Sequence, residues 1–155
     1  PLCLHLPVDH LATTRRRQGL ERACREAGLD PNSLEHIYMA FGDEHYRDIP
    51  SVLRAHIQNG IPRFDSVICG NDRIALMVYQ TLLAQGLRIP QDIAVIGYDN
   101  MVGIGELFLP PLSTVQLPHY EIGRLSALHI INGENHRETT RVESPFLMRD
   151  SVAHV

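Results

Sequence analysis

The chain has no segment suited to crossing a membrane or to export. No apolar run approaches the ~20 residues that span a bilayer, and no positively charged stretch followed by an apolar one opens the chain. The first residue, Pro1, leads almost at once into a predicted strand, so we interpret the chain as a segment of a longer protein or as a processed chain. We therefore expect no membrane partner.

Positive charge is also scarce. The formal net charge of the 155 residues is −4, whereas nucleic-acid-binding domains gather Lys and Arg on one face. The only dense basic cluster is Arg15, Arg16 and Arg17. We therefore expect this chain by itself not to bind DNA well.

Cysteine is sparse and odd in number. Cys3, Cys24 and Cys69 each lie in an apolar strand or helix context. Small buried thiols in a reducing compartment explain them better than disulfides do, which favours the cytoplasm.

The motifs of the common enzyme classes are missing as well. The nine histidines form no His-x-x-x-His pair, and the cysteines form no Cys-x-x-Cys pair of zinc type. No Gly-x-Ser-x-Gly elbow or Gly-x-x-x-x-Gly-Lys phosphate loop occurs. Residues 103–107 resemble half of a dinucleotide fingerprint but lack its third glycine. We predict that the chain is not an enzyme and carries no metal and no cofactor.

What the chain does contain is a strand, turn, helix and strand over residues 65–100. Residues 67–69 form a short apolar run typical of a buried parallel strand, and Gly70 permits a sharp turn. Apolar residues at three- and four-residue spacing then predict a helix that Asn71 or Asp72 caps and Gly86 ends. Residues 93–96 form a second apolar strand.

Strands and helices alternate along the rest of the chain. Further strands are predicted over residues 2–6, 36–40 and 112–116, and a last extended stretch over 139–148. Further helices are predicted over residues 13–27, from Tyr46 or Pro50 to Gln58, over 103–108, and from Pro118 to about Gly133. This alternation predicts an α/β fold, with a parallel sheet flanked by helices on both faces.

Three polar residues are the strongest candidates for binding a ligand. Asn71 and Asp99 each follow a predicted buried strand, and parallel strands end on the same edge of a sheet, where open α/β folds bind ligands. Arg16, at the entry of the first helix, offers a planar fork of donors for adjacent hydroxyls or a carboxylate. The structural alternatives are a solvated first-turn charge for Arg16, a helix cap for Asn71 and a turn for Asp99.

Several segments together resemble one known family. Five segments, taken in chain order, are similar to the C-terminal part of the lactose-repressor/galactose-repressor family of bacterial transcription regulators: ATTRRRQGLERACREAGL, CGNDRIAL, GLRIPQDIAVIGYDN, PPLSTVQLP and the terminal FLMRDSVA. The resemblance implies a periplasmic-binding-protein-like lobe made of residues 1–111 and 137–155. Residues 112–136 would belong to a second lobe, most of which lies outside this chain, as does the DNA-binding headpiece.

The resemblance also implies a function and further site residues. A small sugar or polyol would bind between the lobes and would regulate a repressor that acts as a homodimer and meets DNA only through the headpiece. Arg16 and Asp99 match effector-binding positions, and Glu44 stands where the family often has a stacking aromatic ring, a role that Tyr46 could take. Secondary ligand candidates are His10, Glu44, Tyr46, Gln116 and His119, and for each the alternative is an ordinary surface polar residue. The expected dimer surface includes Leu76, Gln80, Leu107 and Phe108, with an internal core position as the alternative for Leu76. The alternative is a sugar-binding protein of the same fold that serves transport.

Overall fold

Short apolar strands build the centre of the molecule, seen in a computed structural model. The structure describes residues 1–40, 43–101, 103–133 and 139–153, and in residues 43–45 only the backbone. The strands are β1 (Leu2–His5), β2 (Glu35–Tyr38), β3 (Ile57–Gln58), β4 (Ile61–Pro62), β5 (Ser66–Cys69), β6 (Ala94–Asp99), β7 (Ser113–Gln116) and β8 (Phe146–Leu147). Six of them form one sheet in the order β2-β1-β5-β6-β7-β8.

The pairings in this sheet are parallel from β2 to β7, as predicted, and only β8 runs antiparallel to its neighbour. The α-helices are α1 (Leu11–Glu26), α2 (Ile49–Ala55), α3 (Asp72–Ala84) and α4 (His119–Ile131). Short 3-10 helices cover Pro31–Ser33, Asp43–Asp48 and Gly105–Leu107. The α/β fold class predicted from the sequence is confirmed.

One face of the sheet carries the main hydrophobic core. Alternate strand residues such as Leu4, Val67 and Val95 are fully buried there, together with Ile74 and Val78 of α3. Removing this apolar surface from water is the main favourable contribution to folding. The core therefore fixes α3 against β5 and β6, and with it the turn that leads into the helix.

The other face is covered less completely. Helix α1 lies over it and leaves an apolar pocket of about 490 Å³, which Leu20, Ile68, Ile96 and Val115 help to line. Apolar spacing along α1 predicts a buried face of Leu20, Ala23, Cys24 and Ala27. This prediction was partly wrong, because Ala23 and Ala27 are exposed and Thr13 is the buried residue of this helix.

The predicted helix up to Gln58 also ends too late. Helix α2 stops at Ala55, and the chain then forms a small antiparallel hairpin, β3 and β4. Asn59 and Gly60 at its tip have φ angles of 52° and 76°. Two successive positive φ angles match the tight turns that join hairpin strands, so this dipeptide forms the turn of the hairpin.

Hydrogen bonds from two polar side chains, Arg149 and Ser151, hold the last described segment against the sheet. The guanidinium of Arg149 donates to the backbone oxygen of Leu112 at 2.7 Å and to the side chain of Asn100 at 3.0 Å. The hydroxyl of Ser151 donates to the backbone oxygen of Val95 at 2.6 Å and accepts from the backbone of Ser113 at 2.8 Å. The Arg-x-Ser segment therefore locks β6 to β7.

Helix α4 packs little against the rest of the chain. None of its residues is buried, and large apolar side chains such as Ile130 and Ile131 are exposed. Strand β7, by contrast, pairs with β6 in the main sheet, although the resemblance assigns residues 112–136 to the second lobe. The division into lobes, including residues 137, 138, 154 and 155 outside the described ranges, stays a prediction. No helix in the described part of the chain combines the length and the apolar character that crossing a membrane requires.

Candidate functional site

Arg16 reaches from α1 to the carboxyl ends of two strands. Its Nη1 donates to the backbone oxygen of Gly70 at 2.5 Å, just past β5. Its Cζ lies 3.5 Å from the centre of the Tyr98 ring, a cation–π contact. Its Nη2 lies 3.7 Å from Oδ1 of Asp99. Arg16 is therefore held in place and is not the solvated charge of the structural alternative.

Asp99 ends β6 in an unusual backbone conformation. Its φ angle is 109° and that of Asn100 is 48°, values that L residues other than Asn and Asp rarely adopt. Partial burial raises the pKa of the Asp99 carboxyl, while the nearby guanidinium of Arg16 opposes the rise. Such strain persists only where the surroundings enforce it, and it is common at ligand sites.

Asn71 has a structural role and also faces the same region. Its Oδ1 accepts from the backbone N–H of Ile74 at 2.8 Å, which caps α3. Its Nδ2 donates to the hydroxyl of Tyr46 at 3.1 Å. Because the side chain is almost fully buried, both hydrogen bonds fix the amide plane at the edge of the sheet.

These residues surround a polar pocket of about 470 Å³ at the carboxyl edge of the sheet. Its walls come from the turns after β5 and β6, from the start of α3, and from the segment after β7. The lining residues are Tyr46, Asn71, Arg73, Asp99, Asn100, Met101, Leu117 and His119. Arg16 borders this pocket through Asp99 and itself lines the neighbouring apolar pocket. Hydroxyl, amide, carboxylate and guanidinium groups beside one aromatic ring suit a small polyhydroxylated molecule.

A buried carboxylate supports the pocket from below. Asp72 is 1% exposed, and its Oδ2 accepts from the backbone N–H of Met101 at 2.8 Å. Its Oδ1 accepts from the hydroxyl of Thr114 at 2.8 Å. A Cβ atom on Gly97 would collide with this carboxylate and with Leu112, so glycine is required at that point of β6. Sequence reasoning treated Asp72 only as a possible cap, because its partners lie far along the chain.

The other predicted ligand residues are placed less centrally. His10 is exposed at the start of α1 and does not line the pocket. Gln116 is exposed and pairs in register with Asp99 across β6 and β7, directly beside the pocket. The side chain of Glu44 lies outside the described residues. Their roles in binding stay predictions.

Two residues that line this pocket were predicted only as secondary candidates, and other residues at or beside it were not predicted. Tyr46 hydrogen-bonds Asn71, and His119 lines the same pocket as Asp99. Arg73 and Tyr98 had no role in the sequence prediction. Tyr98 directly precedes Asp99, and its ring faces Arg16 on α1, a contact that spacing along the chain does not reveal.

The expected dimer residues divide into surface and interior. Leu76 and Gln80 lie one turn apart on the exposed face of α3, and Leu107 is 78% exposed. Phe108 is 5% exposed, and its ring meets the Tyr79 ring edge-on at 4.7 Å. Phe108 thus packs inside this chain, where it supports the neighbouring surface without forming it.

Comparison with known proteins gives a consistent family assignment. Residues 1–150 match the family described as periplasmic binding proteins and sugar binding domain of LacI family. The chain is 56% identical over 152 residues to the sucrose operon repressor of Escherichia coli, covering 98% of this chain and 46% of that protein. It is 32% identical over 154 residues to the ribose operon repressor of Escherichia coli K12, covering 97% and 45%. The chain therefore spans about half the length of the curated relatives it matches.

Solved structures resemble the chain over the same portion. A LacI family transcriptional regulator from Silicibacter pomeroyi superposes with a TM-score of 0.81 at 25% identity, covering 97% of this chain and 54% of that one. A LacI family regulator from Enterococcus faecium, solved with bound ribose, gives a TM-score of 0.78 at 26% identity, covering 98% and 56%.

Proposed function

The chain belongs to the family of periplasmic binding proteins and LacI-family sugar-binding domains, and from this membership we propose that it is the effector-sensing part of a sugar-responsive transcriptional repressor. The curated relatives reported above are operon repressors, which supports regulation over transport. In this role the protein is not an enzyme, requires no cofactor, and works in the cytoplasm, where the operon is.

The observation that carries the proposal is the position of Arg16 between the Tyr98 ring and Asp99. A guanidinium and a carboxylate at this separation present donors and acceptors to neighbouring hydroxyls of one sugar ring, as charge-assisted hydrogen bonds. Asn71 adds an amide, and Tyr46 adds an aromatic face. We assign Arg16, Asn71 and Asp99 as the contacts that this lobe makes with the effector.

The class of effector follows from the relatives. Identity of 56% to a sucrose operon repressor favours sucrose or one of its component monosaccharides over ribose, whose operon repressor is 32% identical. A polar pocket of about 470 Å³ agrees with a ligand of this kind.

The proposed mechanism requires a second lobe. An effector that contacts both lobes favours the closed arrangement by its differential affinity, and a homodimer transmits that shift to headpieces on DNA. The exposed apolar surface of α4 is consistent with residues 117–133 packing into the second lobe. DNA contacts would come from the headpiece, since this chain is acidic overall.

Calorimetric titration of the whole protein tests the proposal. The titrants are sucrose, its two component monosaccharides and ribose. The double variant Arg16→Ala, Asp99→Ala should weaken binding by about a hundredfold or more, since it removes two charged partners. Arg22→Ala, which removes an exposed arginine of the same helix, should leave affinity unchanged. Unchanged affinity in the double variant would refute the site.

A further inference from the structure

Three potential metal ligands lie together on the sheet face that α1 covers. Cys3 and His5 alternate along β1 and so point to the same side, and His36 is the cross-strand partner of Cys3 on β2. One ligand atom from each residue can be chosen so that all lie within 4.8 Å of one another. Nε2 of His5 and Nδ1 of His36 are 2.8 Å apart.

The cluster is enclosed. Cys3 is 0% exposed and His5 is 4% exposed, while His36 is half-buried and leaves one side open to solvent. The His5 ring is stacked on the rings of both His36 and Tyr38, with centroids 5.0 Å apart in each case. The orientation of His5 is thus fixed by packing before any ligand arrives.

The chemistry of these donors suits a borderline-soft cation. Two imidazole nitrogens and one thiol sulfur are donors that zinc takes in proteins, and burial lowers the pKa of both imidazoles. Burial raises the pKa of the Cys3 thiol to about 11. A bound divalent cation would neutralise the thiolate, which the apolar surroundings alone disfavour.

We propose that Cys3, His5 and His36 form a binding site for a divalent transition metal of the zinc class, with water in the fourth position. Tetrahedral zinc holds nitrogen at ~2.0 Å and sulfur at ~2.3 Å, so two coordinated nitrogens are about 3.4 Å apart. The His5–His36 separation of 2.8 Å therefore opens by about half an ångström on binding.

Binding changes two protons. The thiol proton of Cys3 leaves to solvent as the sulfur–metal bond forms. The ring proton shared between His5 and His36 moves to the other nitrogen of its own ring, so both facing nitrogens offer lone pairs. The metal would then join β1 to the edge strand β2.

Equilibrium dialysis of the reduced, chelator-treated protein against Zn²⁺ tests the site. We expect about one zinc per chain, and binding weakened about tenfold or more in Cys3→Ser and in His36→Gln. His36→Gln is the second variant in case Cys3→Ser disturbs folding, because His36 lies on the edge strand and is only half-buried. Matched controls are Cys24→Ser and His129→Gln, which remove a thiol and an imidazole outside the cluster and should retain zinc.

Co²⁺ provides a second readout. A thiolate-to-cobalt charge-transfer band should appear in the wild type and in both controls, and be lost in Cys3→Ser. Failure to retain zinc in the dialysis, or equal losses in Cys24→Ser and Cys3→Ser, would overturn the proposal. Neither outcome refutes the proposed sugar site, which is tested by separate variants of Arg16 and Asp99.

Discussion

The carboxylate of Asp72 and the hydroxyl of Thr114 are joined by a hydrogen bond of 2.8 Å beneath the polar pocket. The same carboxylate accepts from the backbone of Met101, which follows the strained pair Asp99 and Asn100. One buried side chain at the start of α3 thus holds the turn after β6 and the strand β7. The geometry of the candidate site depends on a residue that does not itself line the pocket.

Replacing Asp72 with Asn should destabilise the fold although the shape is kept. An Asn side chain can turn its oxygen to the Met101 N–H and its NH₂ group to the Thr114 hydroxyl, which can accept, so both contacts remain but two hydrogen bonds to a carboxylate are replaced by weaker bonds of a neutral amide. We expect the free energy of unfolding to fall by about 1–3 kcal/mol, measured by urea denaturation. Asp92→Asn, in the surface ion pair with Arg88, should lower the free energy of unfolding by less than Asp72→Asn does. Equal effects of the two variants would contradict this role for Asp72.

Replacing Arg16 with Lys tests whether binding requires the planar guanidinium group or only its positive charge. Lysine keeps the positive charge but loses the planar group that lies over Tyr98 and bonds the Gly70 oxygen. If Arg16 holds the effector as proposed, affinity for the bound sugar should fall about tenfold or more in calorimetry. Arg17→Lys, whose parent side chain pairs with Glu21 on the same helix, is the control. Retained affinity in Arg16→Lys would show that a point charge is sufficient.

Sequence patterns predicted the parts of the fold that depend on local chemistry. The buried strands 67–69 and 93–96 and the helix between them are apolar runs and periodicities, and the structure has β5, α3 and β6 at these places. The edge location of Asn71 and Asp99 follows from parallel topology alone. These features needed no knowledge of distant contacts.

The parts that the sequence did not reveal depend on contacts between distant residues. Tyr98 meets Arg16 from another element, and Asp72 bonds Thr114 across 42 positions of the chain. The cluster of Cys3, His5 and His36 likewise combines two alternating strand residues with a cross-strand partner. The third ligand lies about 30 positions from the first two along the chain, so the group does not match a motif of closely spaced metal ligands. For this reason the sequence predicted no metal site.

Acid should weaken the metal-free protein through His5. The fold buries the neutral imidazole, with further opposition to protonation from His36, Arg17 and Arg16, so the pKa of His5 is about 4 instead of 6.5. Between these values the unfolded state takes up a proton that the folded state does not. The free energy of unfolding should therefore fall by about 3 kcal/mol as the pH drops from 6.5 to 4, and this contribution is constant above that window.

Urea denaturation at several pH values, with a chelator present, measures this effect. His5→Gln should remove the loss of stability over that window. His56→Gln should have the opposite effect on the pH dependence of stability, because it removes a contribution that is present at low pH. Hydrogen bonds to the Val52 carbonyl and to Glu35 raise the pKa of His56. The stability that His56 contributes is full below pH 6.5 and is lost as the pH rises through its raised pKa. If the free energy of unfolding of His5→Gln fell between pH 6.5 and 4 as steeply as that of the wild type, the assignment of this effect to His5 would be refuted.

The proposed dimer surface can be tested at Leu76. This side chain is 42% exposed on α3, and a monomer gains little from keeping it apolar. Leu76→Asp should shift the whole protein from dimer to monomer in sedimentation velocity, since burying a carboxylate at an interface is costly. Ile61→Asp, at a 71% exposed residue of the β3–β4 hairpin, should leave association unchanged. A Leu76→Asp protein that still sediments as the wild type would place the interface elsewhere.

Phe108→Ala, by contrast, should lower the free energy of unfolding by about 3–5 kcal/mol, because its ring packs inside the chain against Tyr79.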